Sequence, residues 1–547
     1  MNSITNKIKS EKKTILKIIF IIIFVIIWTA LFIRCKYGYA SLDETFYIQL
    51  IQRIAQGDAL IAEEWHPSQL FSFIMFPFFI LYNLLFSSFM SIVLYFRYLY
   101  VFVLGISCLF IFNLLKKITF FGAAISSILL LLYAPNCITA LYYNTICIIC
   151  LALMFAINAT KNTKLANIIS GSLYSFSVLC CPFLVILILY FILYFIFIKK
   201  DKKQLAFFAL GVLIWFAIFC IFVLSKTSIS SIIKSIPNIL SNPEYNNIEL
   251  ITKTKDWIRS ILVKNSIVFI LSILTIIIIS FFLKKKHVCI LLSFIAVSIL
   301  IIFIYKKYYY INHLMYPLAI VGPILFLIDD KNIRNVMFSI WIPGIIYSFC
   351  INMASDQVEY AIYSALCISS VASICGFSIY INGLDKEIAI FVQTAFCILL
   401  SLLLVLVARI RWNQIYSDTN IKDQTIKLDS GPEKGIYVTE EKRHIYDIVM
   451  TANETFMFDG KTILFLTNEP LYYIINNQIK SSAYSSWMVP SSYLQLNYFE
   501  INPHKIPDLI FYPSIEMGKY DEVLNALIDK YGYKIDDWND CGMVFKR

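Results

Sequence analysis

An adjacent carboxylate pair, Asp43-Glu44, lies in "YGYASLDETFYIQLIQRIAQGDALIAEEWHPSQL", directly after the first long apolar run. The stretch holds five carboxylates and a histidine in a chain where only 15% of residues are charged. Neighbours on a helix point about 100° apart, so the two acids cannot act as a matched dyad on one atom. One can reach into a cleft as a base while the other orients it or meets a sugar hydroxyl. A carboxylate at a membrane-facing cleft is desolvated, which raises its pKa toward useful basicity. Capping is the competing use: "SLDE" ahead of an apolar-periodic run fits a helix N-terminus, with Ser41 as cap and Glu44 three positions on. The two uses are compatible, since a cap can fix Asp43.

Other reactive groups gather nearby and beyond. "EEWHP" offers Glu63, Glu64 and His66. Ligands this close in sequence seldom hold a metal without distant partners, so a solvated turn is the plainer use, with His66 alternatively meeting a phosphate or sugar. Arg97, near the start of an apolar run, needs a protein partner or a polar cleft, because exposure to lipid is costly. With Lys306, Lys307 and His313 it suits a lipid phosphate, by fork geometry and point charge. Snorkelling to headgroups is the alternative for the lysines, and Tyr308–Tyr310 fit an aromatic belt as well as sugar stacking.

These groups must be held by membrane helices. The 547 residues are 59% hydrophobic, and uncharged apolar runs of roughly 17–25 residues recur, long enough to cross a bilayer. The net charge of +11 sits in short clusters between the runs, as topology determinants do, which argues against a nucleic-acid surface. Of the 14 cysteines, all but Cys35 and Cys541 lie in or beside apolar runs, as small hydrophobes rather than a disulfide or zinc framework. The lysine-rich start and first apolar run read as an uncleaved signal anchor.

Keeping the positive clusters at 7–17, 116–117, 161–164, 199–203, 284–287, 329–334 and 386 in the cytoplasm decides the topology. Residues 70–86 then lie as a juxtamembrane or re-entrant helix, leaving about 13 spans. These are 15–33, 91–115, 119–135, 137–158, 165–181, 182–198, 204–225, 264–283, 288–305, 311–328, 335–352, 359–382 and 386–409. The N-terminus is expected in the cytoplasm and the C-terminus outside. Residues 1–410 form the membrane domain, with a first external loop at 35–90. Residues 411–547 are polar and alternate strand-like runs (435–439, 462–467, 508–512, 542–547) with helical ones (440–453, 520–532). That pattern predicts a small α/β domain with a mostly parallel sheet, serving recognition or scaffolding. It contains no Gly-rich phosphate loop, GxSxG or HExxH.

In this order, Asp43-Glu44 after the first span, His66-Pro67 opening a juxtamembrane helix, Arg97 in the second span and "YYYINHLMYPLAIV" further on, the chain resembles the GT-C superfamily of integral-membrane glycosyltransferases. It is most similar to the branch of protein O-mannosyltransferases and lipid A aminoarabinose transferases. One departure is clear: the next external segment, "YAPNCITALYYNT", carries no acid, and Asn136, Tyr142, Tyr143 and Asn144 are its polar groups. The resemblance implies a polyprenyl-phosphate-linked sugar donor, inversion at the anomeric carbon and an envelope glycan, lipid or protein as acceptor. It also implies Asp43 and Glu44 as catalytic residues, with His66, Arg97, Tyr142, Tyr143, Lys306, Lys307, Tyr310 and His313 on the substrates. Some relatives bind a divalent metal, so a metal stays open. No ionisable acid lies mid-span, which argues against an ion-coupled transporter or flippase. A polysaccharide polymerase or ligase would concentrate arginines in a large central loop, and 226–264 has only Arg259.

Overall fold

The computed structural model describes residues 2–86, 88–241, 250–263, 286–355 and 357–547. Helices dominate up to Asn413, and a mixed sheet domain follows. Eight helices among the described residues are long and apolar enough to cross a membrane: Thr14–Arg34, Ile92–Leu115, Tyr143–Thr160, Lys202–Leu224, Ile290–Tyr308, Lys331–Ala354, Glu359–Asn382 and Lys386–Asn413. The chain is a multi-pass membrane protein. Large apolar side chains such as Phe391 and Ile221 stay bare on these helices, as lipid-facing surfaces do.

The expected count of about 13 spans is met only in part. Phe120–Leu132, Pro182–Ile198 and Asn312–Leu327 are shorter apolar helices. The span expected at 264–283 lies outside the described residues. The one expected from 137 begins at Tyr143, because Asn136 takes a left-handed conformation (φ 55°) after Pro135 and turns the chain first. Gln69–Leu85, expected as a juxtamembrane or re-entrant helix, is a short apolar helix.

Four helices set the stage: α1 (Asn2–Arg34), α2 (Ser41–Ala55), α3 (Ser72–Leu85) and α4 (Ile92–Leu115). α2 has no Gly or Pro, carries Asp43 and Glu44 in its first turn where the dipole favours acids, and ends before Gly57. Nearly every residue from Glu44 to Ile54 is buried, so α2 is a core helix enclosed by neighbours rather than a surface one.

In the C-terminal domain β1 (Ile426–Lys427) and β2 (Tyr437–Val438) form a hairpin. β3 (Thr462–Phe465), β4 (Lys480–Ser481), β5 (Leu509–Pro513), β6 (Lys534–Asn539) and β7 (Gly542–Lys546) follow. They build one sheet in the order β4-β3-β5-β7-β6. β3 runs parallel to β4 and β5, but β7 pairs antiparallel with both β5 and β6. The expectation of a mostly parallel sheet is therefore corrected: the chain's last two strands form a hairpin that needs no crossover helix. The hairpin β1–β2 meets the first loop directly. Gly38 donates to the Tyr437 carbonyl at 2.8 Å, and Tyr437 donates to the Lys36 carbonyl at 2.7 Å. The C-terminal domain is thus tied to the first loop by backbone bonds.

Candidate active site

Glu44 does not complete a capping box. The cap position is Ala40, with no side-chain bond to the helix, and Glu44 instead reaches α4. Its Oε2 accepts from Arg97 Nε at 2.7 Å and sits 2.7 Å from Nη2. Arg97 Nη1 donates to the Cys35 carbonyl and Nη2 to the Gly38 carbonyl, each at 2.7 Å. Gly38 has to be glycine there: its φ is +78°, and a β-carbon would overlap Ile415. The expectation that Arg97 holds a substrate phosphate is corrected accordingly. Its fork is spent on tying the end of α1 and the first turn of α2 to α4, with a carboxylate to neutralise it.

Asp43, one residue before, is half-buried and has a different environment. Tyr47, one turn on, donates its hydroxyl to Oδ1 at 3.0 Å. Burial pushes the Asp43 carboxyl up to about 6, the Tyr47 hydroxyl draws it back down, and the Glu44 charge adds to the rise. Tyr47 stacks on Tyr142 with centroids 4.7 Å apart at 10°, and Tyr143 stands edge-on to Tyr47 at 6.0 Å and to Tyr142 at 5.2 Å. Tyr142 is fully buried and donates to the Pro135 carbonyl, while Tyr143 is half-buried. Tyr47, Tyr142 and Tyr143 thus form one aromatic cluster, joined to the carboxylate through the Tyr47 hydroxyl. Beside them Glu44, Tyr47, Ile48, Ile51, Val93, Phe96, Arg97, Ala140 and Leu141 enclose a small cavity.

The later expected residues join this cluster through an amide pair. Asn136 donates its backbone N–H to Asn312 Oδ1 at 2.8 Å, and Asn312 Nδ2 donates to Asn136 Oδ1 at 2.6 Å. His313 is buried with its ring parallel to Tyr308 at 5.1 Å and edge-on to Tyr360 at 5.0 Å. Tyr310 packs against Tyr360 at 5.1 Å. Lys306 and Lys307 are exposed in the last turn of Lys286–Tyr308, and Lys307 Nζ lies 5.1 Å over the Tyr308 ring. Tyr416, just past the last span, feels the charge of Asp43 and lies near Tyr310, linking the two clusters.

His66 falls away from this cluster. It is buried edge-on against Phe46 at 4.6 Å, and its Nδ1 faces the Ser68 hydroxyl at 2.8 Å. Burial holds its pKa down to about 3, so it stays neutral. It is a packed core histidine, which corrects the expectation that it contacts substrate. Glu64 is likewise taken: its Oε2 accepts from Arg53 Nη1 at 2.6 Å. Among the described residues no three His, Cys, Asp or Glu side chains are placed to hold a metal ion. Glu44 and Glu64 are each turned to an arginine instead of an open cation position.

Sequence reasoning missed Arg53, which anchors the other end of α2. Its Nε donates to Asp58 at 2.7 Å, Nη1 to the Ala483 carbonyl at 2.9 Å and Nη2 to Tyr498 Oη at 3.1 Å as well as to the Glu63 carbonyl. Lys505 adds a second cation to Asp58, whose carboxyl is held below its usual range by the two. Gln52 and Gln56 extend the seam to the Tyr473 and Ile479 carbonyls. Partners more than 400 residues away leave no trace in local spacing. Tyr47 was within reach, since a position four after Asp43 shares its helix face.

No family model and no curated protein matches the sequence. Among solved structures the chain is similar to the Archaeoglobus fulgidus oligosaccharyltransferase, crystallised with zinc and sulfate. The identity is 12% and the TM-score 0.46, over 93% of this chain and 70% of that one. It is also similar to ArnT from Cupriavidus metallidurans bound to undecaprenyl phosphate, at 11% identity and a TM-score of 0.43, over 97% of this chain and 98% of that one.

Proposed function

We propose that this protein is a glycosyltransferase that moves a sugar from a polyprenyl-phosphate-linked donor to an acceptor of the cell envelope, at the extracytoplasmic face of the membrane. The observation that carries the reading is Asp43: a desolvated carboxylate that accepts from the Tyr47 hydroxyl, beside a tyrosine cluster, on the first turn of α2. With a pKa of about 6 it is ionised near neutral pH and more basic than an exposed aspartate.

The reaction follows from the donor's chemistry. Asp43 takes the proton of an acceptor hydroxyl as that oxygen attacks the anomeric carbon from the face opposite the phosphate. The carbon–oxygen bond to the phosphate breaks, the configuration inverts, and polyprenyl phosphate leaves with the electron pair. A phosphate leaving group needs cations more than an acid, and the exposed Lys306 and Lys307 are suited to that. Tyr143 and Tyr310 offer ring faces for the sugar. Glu44 acts with Arg97 to fix the turn that presents Asp43, which makes both positioning residues. In this reading the N-terminus is cytoplasmic and the C-terminal domain extracytoplasmic.

The test is mass spectrometry of lipid that co-purifies with the protein, followed by transfer assays with that lipid. A polyprenyl phosphate carrying a hexose or pentose, consumed in the presence of an envelope acceptor, is the expected result. A protein that carries no such lipid and neither binds nor turns over one supplied to it would end the proposal.

A further inference from the structure

The helix Ile229–Leu240 is amphipathic the wrong way round for water. Four residues separate it from the Lys202–Leu224 span, and the Ser228 hydroxyl accepts from the Ser231 N–H. Its sequence, "ISSIIKSIPNIL", sets Ile229, Ile233, Ile236 and Leu240 on one stripe, the i, i+4, i+7, i+11 spacing of a single helix face. These four are 61%, 63%, 41% and 68% exposed. The side that faces protein is mixed, with Ile232 and Ile239 packed inward beside two polar anchors. Ser235 is buried and donates to the Ala62 carbonyl at 3.3 Å, and Asn238 Oδ1 accepts from Asn497 Nδ2 at 3.2 Å.

We infer that this helix lies in the plane of the membrane, its isoleucine stripe sunk into the acyl boundary of the leaflet in which the Lys202–Leu224 span ends. Continuity commits the face to lipid. The last turn of that span bares Ile221 at 70%, and α3 bares Leu84 at 78%. Phe73 and Phe76 of α3, Phe219 and Phe222 of the span, and Ile232 of the helix all pack on one cluster around Ile54, Leu60 and Val223. Three elements with bare outer faces thus share one inner anchor, and two of them are already membrane elements. Lys234 is exposed beside Ile233, where its stem can follow the stripe and its ammonium reach lipid phosphates.

The placement has a consequence for α2. Lys226, at the joint between span and helix, donates to the Ile54 carbonyl at 2.6 Å, and Ser235 holds Ala62. The leaflet therefore fixes the height of the end of α2 remote from Asp43, whatever reaction the protein performs. Occupancy of the stripe by a second copy or another protein would leave that coupling to the partner instead.

Nitroxide labelling of the full-length protein in phosphatidylethanolamine–phosphatidylglycerol nanodiscs tests the inference. The described cysteines are buried or half-buried, so added thiols label selectively. Ile229→Cys, Ile233→Cys, Ile236→Cys and Leu240→Cys replace bare side chains, with Phe391→Cys as the lipid reference and Asp529→Cys as the water reference. All four stripe positions should respond to oxygen as residue 391 does, resist a water-soluble nickel quencher, and report one common depth. Quencher access matching residue 529 would overturn the inference. So would shielding from both agents, which would mean a protein partner, or a steady depth gradient along the helix, which would mean a continuing span.

Discussion

The two ends of α2 treat charge in opposite ways. At the C-terminal end Arg53 is fully buried, and its guanidinium is met by two carboxylates, two carbonyls and a tyrosine hydroxyl from the first loop and the C-terminal domain. At the N-terminal end Asp43 is desolvated and, among the described residues, accepts from the Tyr47 hydroxyl with no cation beside it. Even its neighbour Glu44 is neutralised, by Arg97. A paired charge holds shape, and a desolvated, underpaired one holds reactivity. The contrast separates the residues that build the helix's position from the residue the position serves.

Breaking the paired end should do the most damage. Arg53→Ala leaves Glu64 buried without its guanidinium and Asp58 with only its lysines, and a broken buried pair costs about 3–5 kcal/mol. Thermal unfolding in detergent should show a large drop in melting temperature, with detachment of the C-terminal domain visible as new protease sensitivity. A variant that melts with the parent protein would mean the seam does not hold α2.

The other end should fail in the opposite manner. Asp43→Asn keeps size and the Tyr47 contact while removing the base, so melting should be unchanged or slightly raised, and lipid-linked sugar should still bind. Transfer should fall by about 10²–10⁴, the usual worth of a general base. Equal transfer by purified variant and parent would remove Asp43 from the chemistry.

Much of this contrast was invisible in the sequence, for a physical reason. Apolar run length and charge clusters are local quantities, so the membrane class, the C-terminal helix–strand alternation and the conspicuous Asp43-Glu44 pair could be read directly. Burial partners are not local. Arg97 looked like a free cation because Glu44 lies 53 residues away, and Arg53 drew no attention because its partners include residues 483 and 498. His66 looked available beside two acids until the fold set Phe46 against it. The strand Lys534–Asn539 escaped notice because "KIDDWN" is an exposed edge with no apolar alternation.

A milder probe follows from pH. Asp43 has a folded pKa of about 6 against an ordinary 3.8, so its ionised form is the one burial penalises. Its contribution to stability is fully present below pH 3.8 and is lost as pH rises through about 6. Transfer needs the ionised form and runs the other way, falling about tenfold per unit below that pKa. Rate and melting temperature should therefore move oppositely across one window, and Asp43→Asn should flatten the melting trend there. A rate profile with no acid limb between pH 5 and 7 would count against Asp43 as the base.

The smallest effect belongs to Tyr47. Its hydroxyl favours the ionised Asp43, so Tyr47→Phe takes away the pull that lowers the pKa and leaves desolvation less opposed. Phenylalanine keeps the stack on Tyr142, so the cluster stays in place. The acid limb should move up by about half a unit to one unit, matching about 1 kcal/mol of hydrogen-bond preference. At pH 8 the loss should then be slight, and at pH 6 several-fold. That pH-dependent deficit distinguishes a partner that tunes the base from one that only packs beside it: a purely structural tyrosine would lower the rate by the same factor at every pH and leave the limb where it was.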